Sequence, residues 1–173
     1  MGSDTIIVGL WPATFSERSG VVTHRRLLSA EDVAAVADMA CGRGLEPGGI
    51  TILEGSMERF AAACASARVL ALPWRGTSSL PDDAADWLAI ALATGLPVVA
   101  TTRSTLSHRL RHGREGYVAP PHHDAPRDLA PAAAKISVDS VLFGRFSEGA
   151  KARIHRTDEG GGVRLRWTPD DTA

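Results

Sequence analysis

The sequence predicts one α/β domain, a mainly parallel, doubly wound sheet with helices on both faces. Three observations carry this. Short apolar runs rich in β-branched residues alternate with longer helix-forming runs, and Gly or Pro stands at the joins. None of the short runs alternates polar with apolar residues, which is the pattern of strands covered on both faces. At 173 residues the chain suits one full hydrophobic core better than two.

Taken in order, Thr5–Leu10 (TIIVGL), Ile50–Leu53 (ITIL), Arg68–Leu72 (RVLAL), Pro97–Thr101 (PVVAT) and Gly116–Ala119 (GYVA) read as strands. The helical runs are Ser29–Cys41, Met57–Ala67, Pro81–Thr94, Thr105–His112 and Arg127–Ile136. Ser29 with Asp32 three residues on is close to a capping box, and Gly42 and Gly44 end that helix. Pro81, Asp82 and Asp83 make a favourable first turn, and Gly95 is a stop. Trp11–Leu28, with Pro, Gly, Ser and three Arg, reads as a long loop leaving the first strand. In such sheets ligands bind at the carboxyl ends of strands, so that loop falls at the functional rim. After Ile136 the run SVLFGRFSEGAKARIHR reads as a closing helix. These elements divide the chain into a Rossmann-like domain over 1–153 and a polar tail over 154–173, with one strand expected at Gly162–Trp167.

The formal net charge of −1, spread along the chain, gives no long-range attraction to nucleic acid. Cys41 and Cys64 read as isolated small apolar residues of a reduced protein rather than a disulfide. No apolar run approaches a membrane span, and the N-terminus lacks a basic region followed by an apolar one. The expectation is therefore a cytoplasmic protein. His108 and His112 have the four-residue spacing of metal ligands, but Arg109, Arg111 and Arg114 surround them. They read as a solvated basic face, and no metal is expected. His122 and His123, beside Asp124 in a Pro-rich loop, read as surface. No Gly-x-Gly-x-x-Gly or Walker loop is present. Trp87 reads as core. Trp11 and Trp74 follow strands at the ligand edge, where they either stack on a base or pack the rim.

The ordered series from Ile50 to Arg153 resembles the C-terminal, donor-nucleotide half of group 1 (family 4) glycosyltransferases of the GT-B fold. Pro73 ends a strand, Ala91-Leu92-Ala93-Thr94-Gly95 ends a helix, and Leu96-Pro97-Val98-Val99-Ala100 follows. Gly113-Arg114-Glu115-Gly116-Tyr117-Val118, then Asp124 with Leu129-Ala130, complete the series, and Gly55 fits the glycine after the preceding strand. The resemblance implies binding of a nucleotide-sugar or nucleoside diphosphate, with hexosyl transfer from the nucleotide-sugar as the activity and no separate cofactor. It places the diphosphate on the helix N-terminus that follows Trp74-Arg75-Gly76-Thr77-Ser78-Ser79, with Gly55, Ser56, Met57 and Asp82 as further substrate contacts, so that a ligand is expected at the strand ends Gly55–Met57, Trp74–Ser79 and Thr101–Thr105.

Several positions depart from that pattern. The ribose-binding Glu position falls on Ile90, and the first Glu position on Asp82, where helix capping is the simpler role. Asp83 and Asp86 add negative charge near the implied diphosphate. The family's Glu in the short helix after the Val-Val strand falls on Ser107 or His108. The opening strand with its Gly-Arg…Lys-Gly motif is missing before Thr5. The run Val141–Lys151 resembles it, which makes Arg145 and Lys151 candidate phosphate contacts and a permuted strand the alternative to the closing helix. The acceptor-binding half has no counterpart in this sequence. Two readings stay open: a glycosyltransferase whose acceptor site comes from another chain, another region or a homodimer, and a non-catalytic relative acting as a partner or regulatory subunit.

Overall fold

A computed structural model describes residues 18–46, 48–76, 79–120, 125–159 and 162–169. The run Thr5–Leu10, Trp11, Thr77, Ser78, His122, His123 and Asp124 lie outside the described residues. Five parallel strands form the sheet in the order β2-β1-β3-β4-β5. They are β1 (Val21–His24), β2 (Ile50–Leu53), β3 (Val69–Leu72), β4 (Val98–Ala100) and β5 (Gly116–Val118). The chain runs outward from β1 to β2, then crosses β1 to reach β3, so the winding reverses between β1 and β3.

Side chains alternate across the sheet, and this splits the core in two. Val22, Leu70, Leu72, Val98 and Ala100 pack with α2 (Met57–Ser66) and α3 (Ala84–Ala93). Val21, Val69, Ala71 and Val99 pack with Met39 of α1 (Ala30–Ala40) and with α4 (Ala130–Val138). The last helix, α5 (Ser140–Arg153), spans both clusters, giving Phe143 and Phe146 to the second and Ala150 to the first. Helices on both faces of a parallel, Rossmann-like sheet are what the sequence predicts.

Local chemistry explains the boundaries. The Ser29 side chain accepts from the Asp32 N–H and the Asp32 carboxylate accepts from the Ser29 N–H, closing the capping box at α1. Pro81–Thr94 is shorter than expected, since α3 begins only at Ala84. Thr105–Arg109 and Pro126–Leu129 are 3-10 turns rather than α-helix, and α4 continues from the second of them.

Two expectations are corrected. The described part of the Trp11–Leu28 loop contains β1, a central strand. Its four residues are buried and pair with β2 on one edge and β3 on the other. Two valines followed by Thr, His and two Arg do not read as a core strand; pairing on both edges makes them one. The tail forms two strands, not one: β6 (Ile154–Glu159) and β7 (Gly162–Trp167) pair antiparallel, with Ile154 opposite Trp167. Ile154, Leu165 and Trp167 pack against the cluster that includes α3. That second cover explains why Trp87 through Leu92 are all buried, a helix apolar on nearly every side. The run Val141–Lys151 is helical, as the closing-helix reading expects, and not a permuted strand.

Candidate functional site

A cavity of about 420 Å³ opens at the carboxyl ends of β3 and β4. Asp32 of α1, Trp74 and Gly76 after β3, Leu80 and Asp82 before α3, and Arg103 and Ser104 after β4 line it. It lies beside the reversal of winding, where doubly wound sheets bind ligands.

The wall after β3 is tied to three neighbours. The Trp74 indole N–H donates to the Leu27 carbonyl at 2.8 Å. The Thr101 hydroxyl donates to the Trp74 carbonyl at 2.6 Å. The Arg75 backbone N–H donates to the Asp32 carboxylate at 2.7 Å. Gly76 has φ +78°, and a Cβ there would overlap the Arg103 carbonyl and side chain, so the loops after β3 and β4 meet closely because this residue is glycine.

The expected site residues do not all converge. Gly76 and Asp82 line the cavity. Arg75 is exposed on the same loop between two lining residues, and its backbone N–H is held by Asp32. Gly55, Ser56 and Met57 sit at the same pole of the sheet after β2, two strand positions away from β3. Gly55 has φ +109°, and the Ser56 hydroxyl accepts from the Arg59 N–H to cap α2. Arg145 and Lys151 are not brought to the cavity. They project from α5 towards the opposite pole, where Arg145 reaches the Gly113 carbonyl at 3.4 Å and Lys151 packs on Gly95. A helix, unlike the permuted strand, directs them to the turns that precede β4 and β5. Ile90 is 2% exposed within the core. Trp74 packs rather than stacks on the rim, at 1% exposure. Asp32 was not among the expected contacts, whereas Arg103 and Ser104 lie in Thr101–Thr105, one of the three strand ends where the sequence places a ligand. Only the capping pattern marked Asp32, and nothing local in sequence shows that its carboxylate meets a loop 43 residues on.

Next to the cavity, Asp83 turns away from it. Partial burial would raise its pKa, but hydrogen bonds from Arg26 at 2.7 Å and the Trp87 indole at 3.0 Å outweigh this and hold the carboxyl below the usual value. His24 ends β1, stacked on Trp87 with 4.2 Å between ring centroids. Burial lowers the His24 pKa below the ordinary 6.5; the Gly55 backbone opposes this, Arg26 assists it, and Glu54 and Asp83 oppose it. A base whose folded pKa is depressed gives stability that is present above its unfolded pKa and lost as pH falls. Thermal melts should therefore show declining stability below about pH 6.5, and His24→Phe should remove that part of the slope. An unchanged slope in the variant would place the titration elsewhere.

Among the described residues no group of three or more His, Cys, Asp or Glu side chains converges to hold a metal ion. No described helix is long and apolar enough to cross a membrane.

Fold and cavity together define a doubly wound α/β domain with its candidate site at the topological switch point. No protein-family model matches the chain, and no curated protein matches it in sequence. Solved structures do resemble it. Staphylococcus aureus TarM, in a complex that includes UDP, superposes with TM-score 0.59 at 14% identity, covering 87% of this chain and 34% of that one. Sucrose-phosphate synthase from Thermosynechococcus elongatus gives 0.57 at 18% identity, covering 77% and 40%. Anabaena HepE, in complex with UDP and glucose, gives 0.54 at 17% identity, covering 78% and 43%. The chain thus spans less than half the length of these structures, and what it shares with them is the Rossmann-like α/β fold of one part of each.

Proposed function

We propose that this chain binds a nucleoside diphosphate or nucleotide-sugar at the strand-end cavity and serves hexosyl transfer, with the acceptor-binding half supplied by another chain or region. One observation carries this reading. The cavity sits at the switch point of a sheet whose fold neighbours include structures containing UDP. Gly76 lets backbone approach a phosphate, Arg75 and Arg103 bring positive charge to the loops after β3 and β4, and Asp82 and Ser104 offer partners to sugar hydroxyls. Gly55, Ser56 and Met57 extend the surface at the same pole. Thr77 and Ser78 continue the loop that the resemblance makes the phosphate cradle.

UDP titrated into isotope-labelled protein should perturb the amides of Gly55–Met57, Trp74–Gly76 and Thr101–Thr105. Perturbation confined to the Gly95 and Gly113 turns would sink the assignment. Residues 1–173 alone should turn no UDP-hexose into a glycoside, because this reading assigns the acceptor-binding half to another chain or region. Glycoside formation by purified monomer would refute the need for a second half.

A second reading has its own support. Ile90, at the position where the family's ribose-binding carboxylate falls, is part of the packed core, and Asp83 is engaged by Arg26 and Trp87. Both features suit a non-catalytic relative that acts as a partner or regulatory subunit. UDP binding without turnover, even when an acceptor-binding partner is added, would favour it.

A further inference from the structure

We infer that Asp32 is the positioning residue of the cavity: its buried carboxylate ties the start of α1 to the loop after β3 and so sets the wall a ligand meets. This deepens the nucleotide-binding reading and rests on it for the ligand, though not for the loop.

Asp32 is 2% exposed. One carboxylate oxygen accepts from the Ser29 N–H at 2.8 Å and the other from the Arg75 N–H at 2.7 Å. An ordinary capping box needs only the first of these. The second reaches across the reversal of winding, from the helix that follows β1 to the loop that follows β3. A buried carboxylate needs several donors, and these two backbone N–H groups supply charge-assisted bonds of good length. The same loop turns at Gly76 against Arg103, so the residue after the Asp32 contact is the one whose position sets the distance between the two cavity walls. Fixing that residue beforehand removes the ordering cost that a ligand would otherwise meet on a mobile loop. Asp32 itself faces the cavity, which places the tie at the wall rather than behind it.

Ser29 separates positioning from capping. Its hydroxyl accepts from the Asp32 N–H at 3.3 Å, so Ser29→Ala weakens the cap and leaves the Arg75 tie in place. Native-state hydrogen exchange is the first readout, because it needs no ligand. In Asp32→Ala the Arg75 amide should exchange at least about tenfold faster than in the parent, while in Ser29→Ala it should keep its parent rate relative to the core amides. Asp32→Asn, which keeps the shape and one acceptor oxygen, should restore part of the protection, and it serves if Asp32→Ala does not fold. UDP titration is the second readout. Affinity should fall by on the order of tenfold in Asp32→Ala, recover partly in Asp32→Asn, and stay at the parent value in Ser29→Ala.

An Arg75 amide that exchanges at the parent rate in the Asp32 variants overturns the proposal. So does equal acceleration in Ser29→Ala, which would reduce Asp32 to a cap. Faster exchange with unchanged UDP affinity overturns its role at the site. If the parent binds no UDP, the nucleotide reading fails by itself, and the exchange rates still decide whether Asp32 holds the loop.

Discussion

Ile90→Glu should destabilise the protein by about 4 kcal/mol or more at neutral pH. The substitution removes a fully buried aliphatic side chain, worth about 1.5–3 kcal/mol. It also places a carboxyl on a helix that lies between the sheet and the β6–β7 hairpin, in the cluster that buries Trp87, Leu88 and Leu92 and against which Leu165 and Trp167 pack. An unpaired carboxylate costs more there than a proton does, so the group should stay neutral with its pKa raised. The sign of the pH dependence follows. A folded pKa above the unfolded one makes the deficit smallest at low pH and larger as pH rises through the folded value. Ile90→Val, which keeps the site apolar, should cost only about 0.5–1.5 kcal/mol. Thermal and urea melts from pH 4 to 8, with and without UDP, check this. A variant that melts like the parent and binds UDP more tightly would show a water-filled ribose site at Ile90 and favour the catalytic reading.

Gly116→Ala should cost about 2–5 kcal/mol, the sum of backbone strain and overpacking at one rigid position. Gly116 opens β5 with φ +158°, and a Cβ at this position would overlap the Val98 backbone carbonyl on the neighbouring strand. Both partners are held in the sheet, Val98 opposite Gly116 and flanked by β3, so neither can move aside cheaply. Gly144→Ala is the contrast. It lies inside α5 with no neighbouring atom within 4 Å of the place an alanine methyl would take, and should gain about 0.5–1 kcal/mol. Chemical denaturation of both variants measures the difference, and comparable midpoints would overturn the steric account. The second glycine of the Gly-x-x-Gly-Tyr run is thus explained by sheet packing alone.

Much of the frame was legible in the residues. Val69–Leu72 and Val98–Ala100 are apolar runs between turn residues, and Ser29 with Asp32 is a capping box. Gly95 and Gly113 hold positive φ where the chain turns into β4 and β5. Each signal lies within a few neighbouring residues, so composition and spacing suffice to read it. Tertiary structure decided the rest. Val21–His24 became the central strand through pairing on both edges. The tail became a hairpin because α3 offered an apolar outer face for Ile154, Leu165 and Trp167 to cover. Arg145 and Lys151 went to the far pole because a helix carries them there, and Asp32 met Arg75 because α1 and the loop after β3 start at the same end of adjacent strands. Such contacts join residues tens of positions apart, and their energy depends on what stands opposite each group, which no local pattern records.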